Sequence, residues 1–143
     1  MTTLPSKREL HMPRYDAHHE TVKTALRKDG WTITDDPFTI YVGKTRLYAD
    51  LGAEKEARLI VVEIKGFEGE SFVNELHRAT GQYANYRSLL RGAPQSYEIY
   101  LAIPHDVYSK YFHRELVTTI IKDQQIKFFT YDPQTEEVVL WNS

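Results

Sequence analysis

The sequence predicts an α/β domain in which a mixed β-sheet is flanked by helices. Three observations carry that expectation. Leu59-Ile60-Val61-Val62 opens an apolar run suited to a strand covered on both faces. Phe72, Leu76, Ala79, Tyr83, Tyr86 and Leu90 step by fours and threes, the stripe of a long helix lying on a sheet. Around these two, a first helix and three further strand-like runs precede the central strand, and a strand, a helical run and a closing hairpin follow the long helix.

Residues 1–14 carry Pro5 and Pro13 without periodicity, so they are expected to form a flexible arm before a single domain over 15–143. Asp16 is an N-cap candidate for the first helix, Val22, Ala25 and Leu26 are its apolar stripe, and Gly30 ends it at C′. Strands are expected from Trp31 to Thr34, Phe38 to Val42 and Thr45 to Leu51, then a polar loop from Gly52 to Ala57 and the central strand from Arg58 to Phe67. Ser71 caps the long helix, which runs to about Leu90. Gly81 inside it is costly, so a close approach to the sheet is expected there. Tyr97 to Ile103 is a strand stopped by Pro104. His105 to Asp123 reads as helix in one or two pieces, with Val107, Tyr111, Leu116, Ile120 and Ile121 inward. Ile126 to Tyr131 and Glu137 to Trp141 form a closing hairpin.

The 143 residues are enough for one core, and 41% hydrophobic and 13% aromatic content argue against disorder. With no cysteine there is neither a disulfide framework nor a thiolate metal site, which fits a reducing compartment. No run has the length and apolarity to span a membrane, so a soluble cytoplasmic protein is expected. The net charge of −2 gives no global attraction to nucleic acid, and DNA contact must rely on local basic patches.

The central strand is interrupted by two charges, Glu63 and Lys65, which a period of two places on one face. Buried charges of this kind need a partner, a metal or a cleft. Asp50 closes the strand-like run before it, so a hairpin would bring a second carboxylate beside Glu63. Two close carboxylates repel, and Mg²⁺ or Mn²⁺ held by Asp50 and Glu63 removes the conflict. Such an ion activates water toward a phosphodiester, with Lys65 offsetting transition-state charge. The alternative is an ion pair at the rim of a sheet. Gln82 and Tyr86, four apart on the long helix, share a face; Gln82 could hydrogen-bond near the metal as a member of the catalytic set, and Tyr86 could support it or contact a phosphate. Glu20 on the first helix could add a carboxylate. The six histidines form no zinc spacing, and neighbouring His18 and His19 diverge too far on a helix to share an ion.

Asp50…Glu63-Ile64-Lys65 followed by Gln82-x-x-x-Tyr86 resembles the PD-(D/E)xK nuclease superfamily, whose core has a similar α-β-β-β-α-β order. Ala49 stands where that superfamily usually has proline. More narrowly, the chain resembles the XisH family, the fdxN-element excision controlling factors of cyanobacteria. The phrases that carry this are Lys28-Asp29-Gly30-Trp31-Thr32-Ile33-Thr34, Asp50-Leu51-Gly52-Ala53-Glu54, Val62-Glu63-Ile64-Lys65-Gly66-Phe67, Gly81-Gln82-Tyr83, Leu101-Ala102-Ile103-Pro104 and Tyr131-Asp132-Pro133. The resemblance implies a role in programmed excision of a DNA element, with DNA, a site-specific recombinase and an XisI-like companion protein as partners. It implies Asp50, Glu63 and Lys65 as the nuclease residues if the chain cuts DNA. The alternative is a non-catalytic interaction module on the same fold, holding a companion protein or a recombinase.

Overall fold

Helix α1 spans Met12–Lys28 in the computed structural model, which describes residues 12–143, with side chains from residue 17 onward. The helix thus begins before Asp16, the expected N-cap, and takes in the last residues of the expected arm. Pro13 does not prevent this, because a first-turn N–H has no helical partner to lose. Residues 1–11, His11 among them, lie outside the described residues. The C-terminus closes as the sequence predicts. Gly30 adopts φ +94°, its N–H donates to the Arg27 carbonyl at 3.0 Å, and the Trp31 N–H donates to the Leu26 carbonyl at 2.9 Å. These are the two bonds of a Schellman motif.

Strands β1 (Thr32–Asp35), β2 (Phe38–Val42), β3 (Thr45–Ala49), β4 (Leu51–Lys55) and β5 (Arg58–Ile64) follow. The expected loop over Gly52 to Ala57 is mostly strand. β4 pairs antiparallel with both β1 and β5, and only Glu56 and Ala57, at φ 49° and 67°, make the turn. Gly52 is a close-approach glycine there, since a Cβ would lie 2.8 Å from Asp35 Oδ2 and 2.8 Å from a Phe38 ring carbon. The chain then continues through α2 (Phe72–Leu90), β6 (Tyr97–Pro104), α3 (His105–Tyr111), α4 (Glu115–Asp123), β7 (Phe128–Asp132) and β8 (Glu137–Asn142). Ser71 caps α2 by accepting the Asn74 N–H at 3.2 Å.

The main sheet has the order β1-β4-β5-β6-β7-β8, parallel at β5–β6 and β6–β7 and antiparallel elsewhere, as expected for a mixed sheet. β2 and β3 form a separate two-stranded ribbon. The pleat sorts β5 onto two cores. Ile60, Val62 and Ile64 join Val22, Ala25 and Leu26 of α1, while Val61 joins Leu76, Ala79, Tyr83 and Tyr86 of α2. Phe38, Ile40 and Ala49 of the ribbon belong to the α2 side. Among the described residues no helix is long and apolar enough to cross a membrane.

Two expected inner positions are corrected. Leu116 is exposed, and Val117 takes the buried place on α4. Gly81 does not approach the sheet: it is exposed, and a Cβ there would meet nothing within 4 Å. The buried stripe of α2 runs through Leu76, Ala79, Thr80, Tyr83, Tyr86 and Leu90, so Gly81 falls on the outer side. It therefore pays the backbone entropy of a helical glycine with no packing return. Gly81→Ala is expected to stabilise the protein by roughly 0.5–1 kcal/mol, read from chemical denaturation. A destabilised variant would mean that this face of α2 is covered.

Candidate functional site

Asp50 sits at the bend where the chain leaves β3 in the ribbon and enters β4 in the main sheet. Leu51 pairs with Val62, which brings Asp50 opposite the Glu63–Ile64 end of β5. The side chains then cross. Asp50 Oδ2 accepts the Ile64 N–H at 2.8 Å, and Glu63 Oε1 accepts the Asp50 N–H at 3.2 Å. Each carboxylate thus satisfies a main-chain donor on the other's strand at a point where the regular ladder is broken. Asp50 is 8% exposed and Glu63 7%, so both are charges taken largely out of water.

Lys65 continues the alternation. Its N–H donates to the Ala102 carbonyl at 2.9 Å, keeping the strand direction past Ile64, and its Nζ lies 3.5 Å from Glu63 Oε2. Burial, and then the neighbouring Asp50 charge, push the Glu63 carboxyl up from 4.5 to about 8. Lys65 and the Asp50 N–H pull in the other direction without cancelling those effects. When both are ionised, two carboxylates this close repel, and a divalent cation would relieve the conflict; Asp50 and Glu63 are the residues that would hold Mg²⁺ or Mn²⁺.

Gln82 and Tyr86 meet each other, with Gln82 Nε2 3.0 Å from the Tyr86 hydroxyl. That hydroxyl donates to the Tyr48 carbonyl at 2.9 Å, two residues before Asp50. Burial, and then the Glu63 charge, raise the Tyr86 pKa, which places the phenol within electrostatic reach of the pair. The pair on α2 thus braces the ribbon at the root of the acid site.

Glu20 is not brought to this pair. It lies on α1, which covers the opposite face of the sheet, and its carboxylate is 3.5 Å from Lys23 Nζ. With His19 and Asp36 it forms a second cluster whose ligating atoms fall within 4.8 Å of one another. Lys23 already supplies a cation there, 2.8 Å from Asp36, and His19 Nε2 lies 2.6 Å from the same carboxylate. Burial works to raise the Asp36 pKa, but the bonds from Lys23 and His19 outweigh it and hold it low. Adjacent His18 points elsewhere, with Nδ1 2.7 Å from the Tyr131 hydroxyl and Nε2 3.1 Å from Glu68. That chain joins residues 113 positions apart, and nothing in the local sequence marks it.

A family model described as XisH protein matches residues 12–139. Among solved structures, the chain is similar to an FdxN element excision controlling factor protein from Anabaena variabilis. The two are 42% identical with a TM-score of 0.84, over 90% of this chain and 99% of that one. It is also similar to an XisH family protein from Nostoc punctiforme, at 40% identity and a TM-score of 0.84, over 90% of this chain and 100% of that one. No curated protein matches it.

The Glu63 shift fixes the sign of a pH dependence. Folded Glu63 holds its proton more tightly than unfolded Glu63, so its stabilising share is fully present below about pH 4.5 and is lost as pH rises through about 8. Glu63→Gln keeps the shape without the titration. In chelator, wild-type melting temperature is expected to fall relative to Glu63→Gln between pH 4.5 and about 8, and the difference to level off above that. A difference constant across this window would contradict the account of a buried, proton-holding carboxyl.

Proposed function

Because this chain belongs to the XisH family, we propose that it controls excision of a DNA element as a divalent-metal-dependent, endonuclease-like protein of the PD-(D/E)xK type. The observation that carries this reading is the crossed pair Asp50 and Glu63, buried together with Lys65 on the same strand face. A rim ion pair would need one acid and one base. Here a second buried acid raises the electrostatic cost, and a cation offsets it.

Asp50 and Glu63 hold Mg²⁺ or Mn²⁺ in this reading. The bound ion supplies Lewis-acid polarisation of a phosphodiester and a water acidic enough to act as nucleophile near neutral pH. Lys65, about a quarter exposed, can turn from Glu63 toward the open side and balance charge gathering on the attacked phosphate's oxygens. Tyr86, set by Gln82, fixes the Tyr48 carbonyl and so limits the travel of Asp50. These two position the site and do not touch the reacting atoms.

A second reading has a specific observation behind it. A concave groove of about 1240 Å³ lies between α2, α4 and the starts of β6 and β7, floored by Ile99, Phe112 and Phe128 and rimmed by Arg87 and Lys122. It suits a protein partner, and in this reading the chain is a non-catalytic module for an XisI-like companion or a recombinase.

Mn²⁺ titration by calorimetry and cleavage of supercoiled and branched DNA separate the two. The nuclease reading expects Mn²⁺ binding that Asp50→Asn abolishes, and metal-dependent cleavage that Lys65→Met slows by about 10²–10³ through the loss of one transition-state contact. Wild-type protein that binds no Mn²⁺ and cuts no DNA, with the companion present or absent, would leave the interaction module.

A further inference from the structure

The β2–β3 ribbon turns one side to α2 and the other to solvent. Phe38, Ile40 and Ala49 are buried on the inner side. In the register Thr39 faces Tyr48 and Tyr41 faces Arg46, so these four share the outer face. Tyr41 is 69% exposed and Tyr48 54%, unusual values for large rings on a strand pair. The Arg46 guanidinium carbon lies 5.7 Å from the centre of the Tyr41 ring. From Phe38 to Ala49 the ribbon carries two cations, Lys44 and Arg46, and no carboxylate, in a chain whose net charge is −2. Its root is the bend at Asp50, braced by the Tyr86 hydroxyl on the Tyr48 carbonyl.

We propose that this outer face is a DNA-binding surface that guides one strand of a duplex along Lys44 and Arg46 toward Asp50 and Glu63. The proposal rests on the nuclease reading for its direction, and it deepens that reading by naming duplex DNA as the ligand and the ribbon as its track. Charge complementarity favours a polyanion over a protein surface of mixed sign. The shape agrees, because a two-stranded ribbon fits a major groove, and exposed tyrosines offer flat rings with polar tips for sugar and base edges. At about 3.3 Å per residue, Arg46 and Lys44 stand about 13 and 20 Å along the chain from Asp50. Phosphates follow one another at about 3.4 Å along the axis of one strand, so the two cations meet the backbone about four to six phosphates from the acids.

The test is fluorescence anisotropy of labelled duplex and single-stranded DNA over a range of salt, in chelator and in Ca²⁺. The double variant Lys44→Ser/Arg46→Ser is compared with wild type and with Arg27→Ser/Lys28→Ser, a charge-matched control at exposed positions of α1 on the opposite face. Loss of two phosphate contacts is expected to make the log–log salt slope shallower by about 1.8, removing an affinity loss of about 12-fold between 50 and 200 mM salt. The control should keep the wild-type slope, and Tyr41→Ser should weaken duplex binding without changing it. Equal effects of both double variants, an effect on single strands only, or no duplex binding by wild type would each overturn the proposal. Mn²⁺ calorimetry on the same variants separates it from the nuclease reading. Normal metal binding with an unchanged salt slope sinks the ribbon alone. A shallower slope with no metal binding even by wild type sinks the nuclease reading and leaves the ribbon as a DNA contact.

Discussion

The exchange of hydrogen bonds between Asp50 and Glu63 is the joint on which this structure turns. At Asp50 the chain leaves one sheet and enters another, and a change of sheet leaves main-chain donors without ladder partners. The Asp50 carboxylate takes the Ile64 N–H, and the Glu63 carboxylate takes the Asp50 N–H. A buried N–H left unpaired would cost about 1–3 kcal/mol, so the exchange is structurally useful in itself. Its by-product is two carboxylates in one small, poorly solvated space. The same geometry that lets the ribbon diverge from the sheet also sets the two acids side by side.

That coupling explains why the neighbouring residues are arranged as they are. Gly52 has no room for a side chain because the sheet passes close under Asp35 and Phe38 just after the bend. Tyr86 is braced between Gln82 and the Tyr48 carbonyl, so α2 holds the ribbon from the side that faces the acids. Lys65 lies beyond the acids on the same strand face, where its charge offsets only part of the raised Glu63 pKa. On the other side of the sheet, the His19–Asp36–Lys23 group is a balanced network with its own cation. The two acidic clusters differ in that respect: the Glu63 carboxyl is pushed up by burial and by Asp50, whereas Asp36 is held low.

The site was legible in the sequence to the extent that it depends on alternation. Glu63 and Lys65 interrupt an apolar run with a period of two, and that period alone puts them on one face. The stripe Val22, Ala25, Leu26 and the terminating Gly30 were legible for the same reason, since both are local signals. What was hidden is non-local or lacks its usual residue. β4 reads as a loop because it opens with a glycine needed for close approach, and its turn uses Glu56 and Ala57 at positive φ where glycine or asparagine would announce a hairpin. Gly81 suggested contact with the sheet, yet the packing is done by the expected stripe through Tyr83 and Tyr86, and Gly81 falls on the outer side. Nothing local could show that Tyr86 reaches back to Tyr48, or that Glu20 gathers with His19 and Asp36 instead.

The central claim is that Asp50 and Glu63 together form the cation site of this chain. Anomalous diffraction at the manganese edge, from crystals soaked in Mn²⁺, tests it without relying on activity. The account predicts a single dominant peak between the Asp50 and Glu63 carboxylates, lost in crystals of Asp50→Asn. Absence of a peak there, or a dominant peak at His19, Glu20 and Asp36 instead, would contradict it.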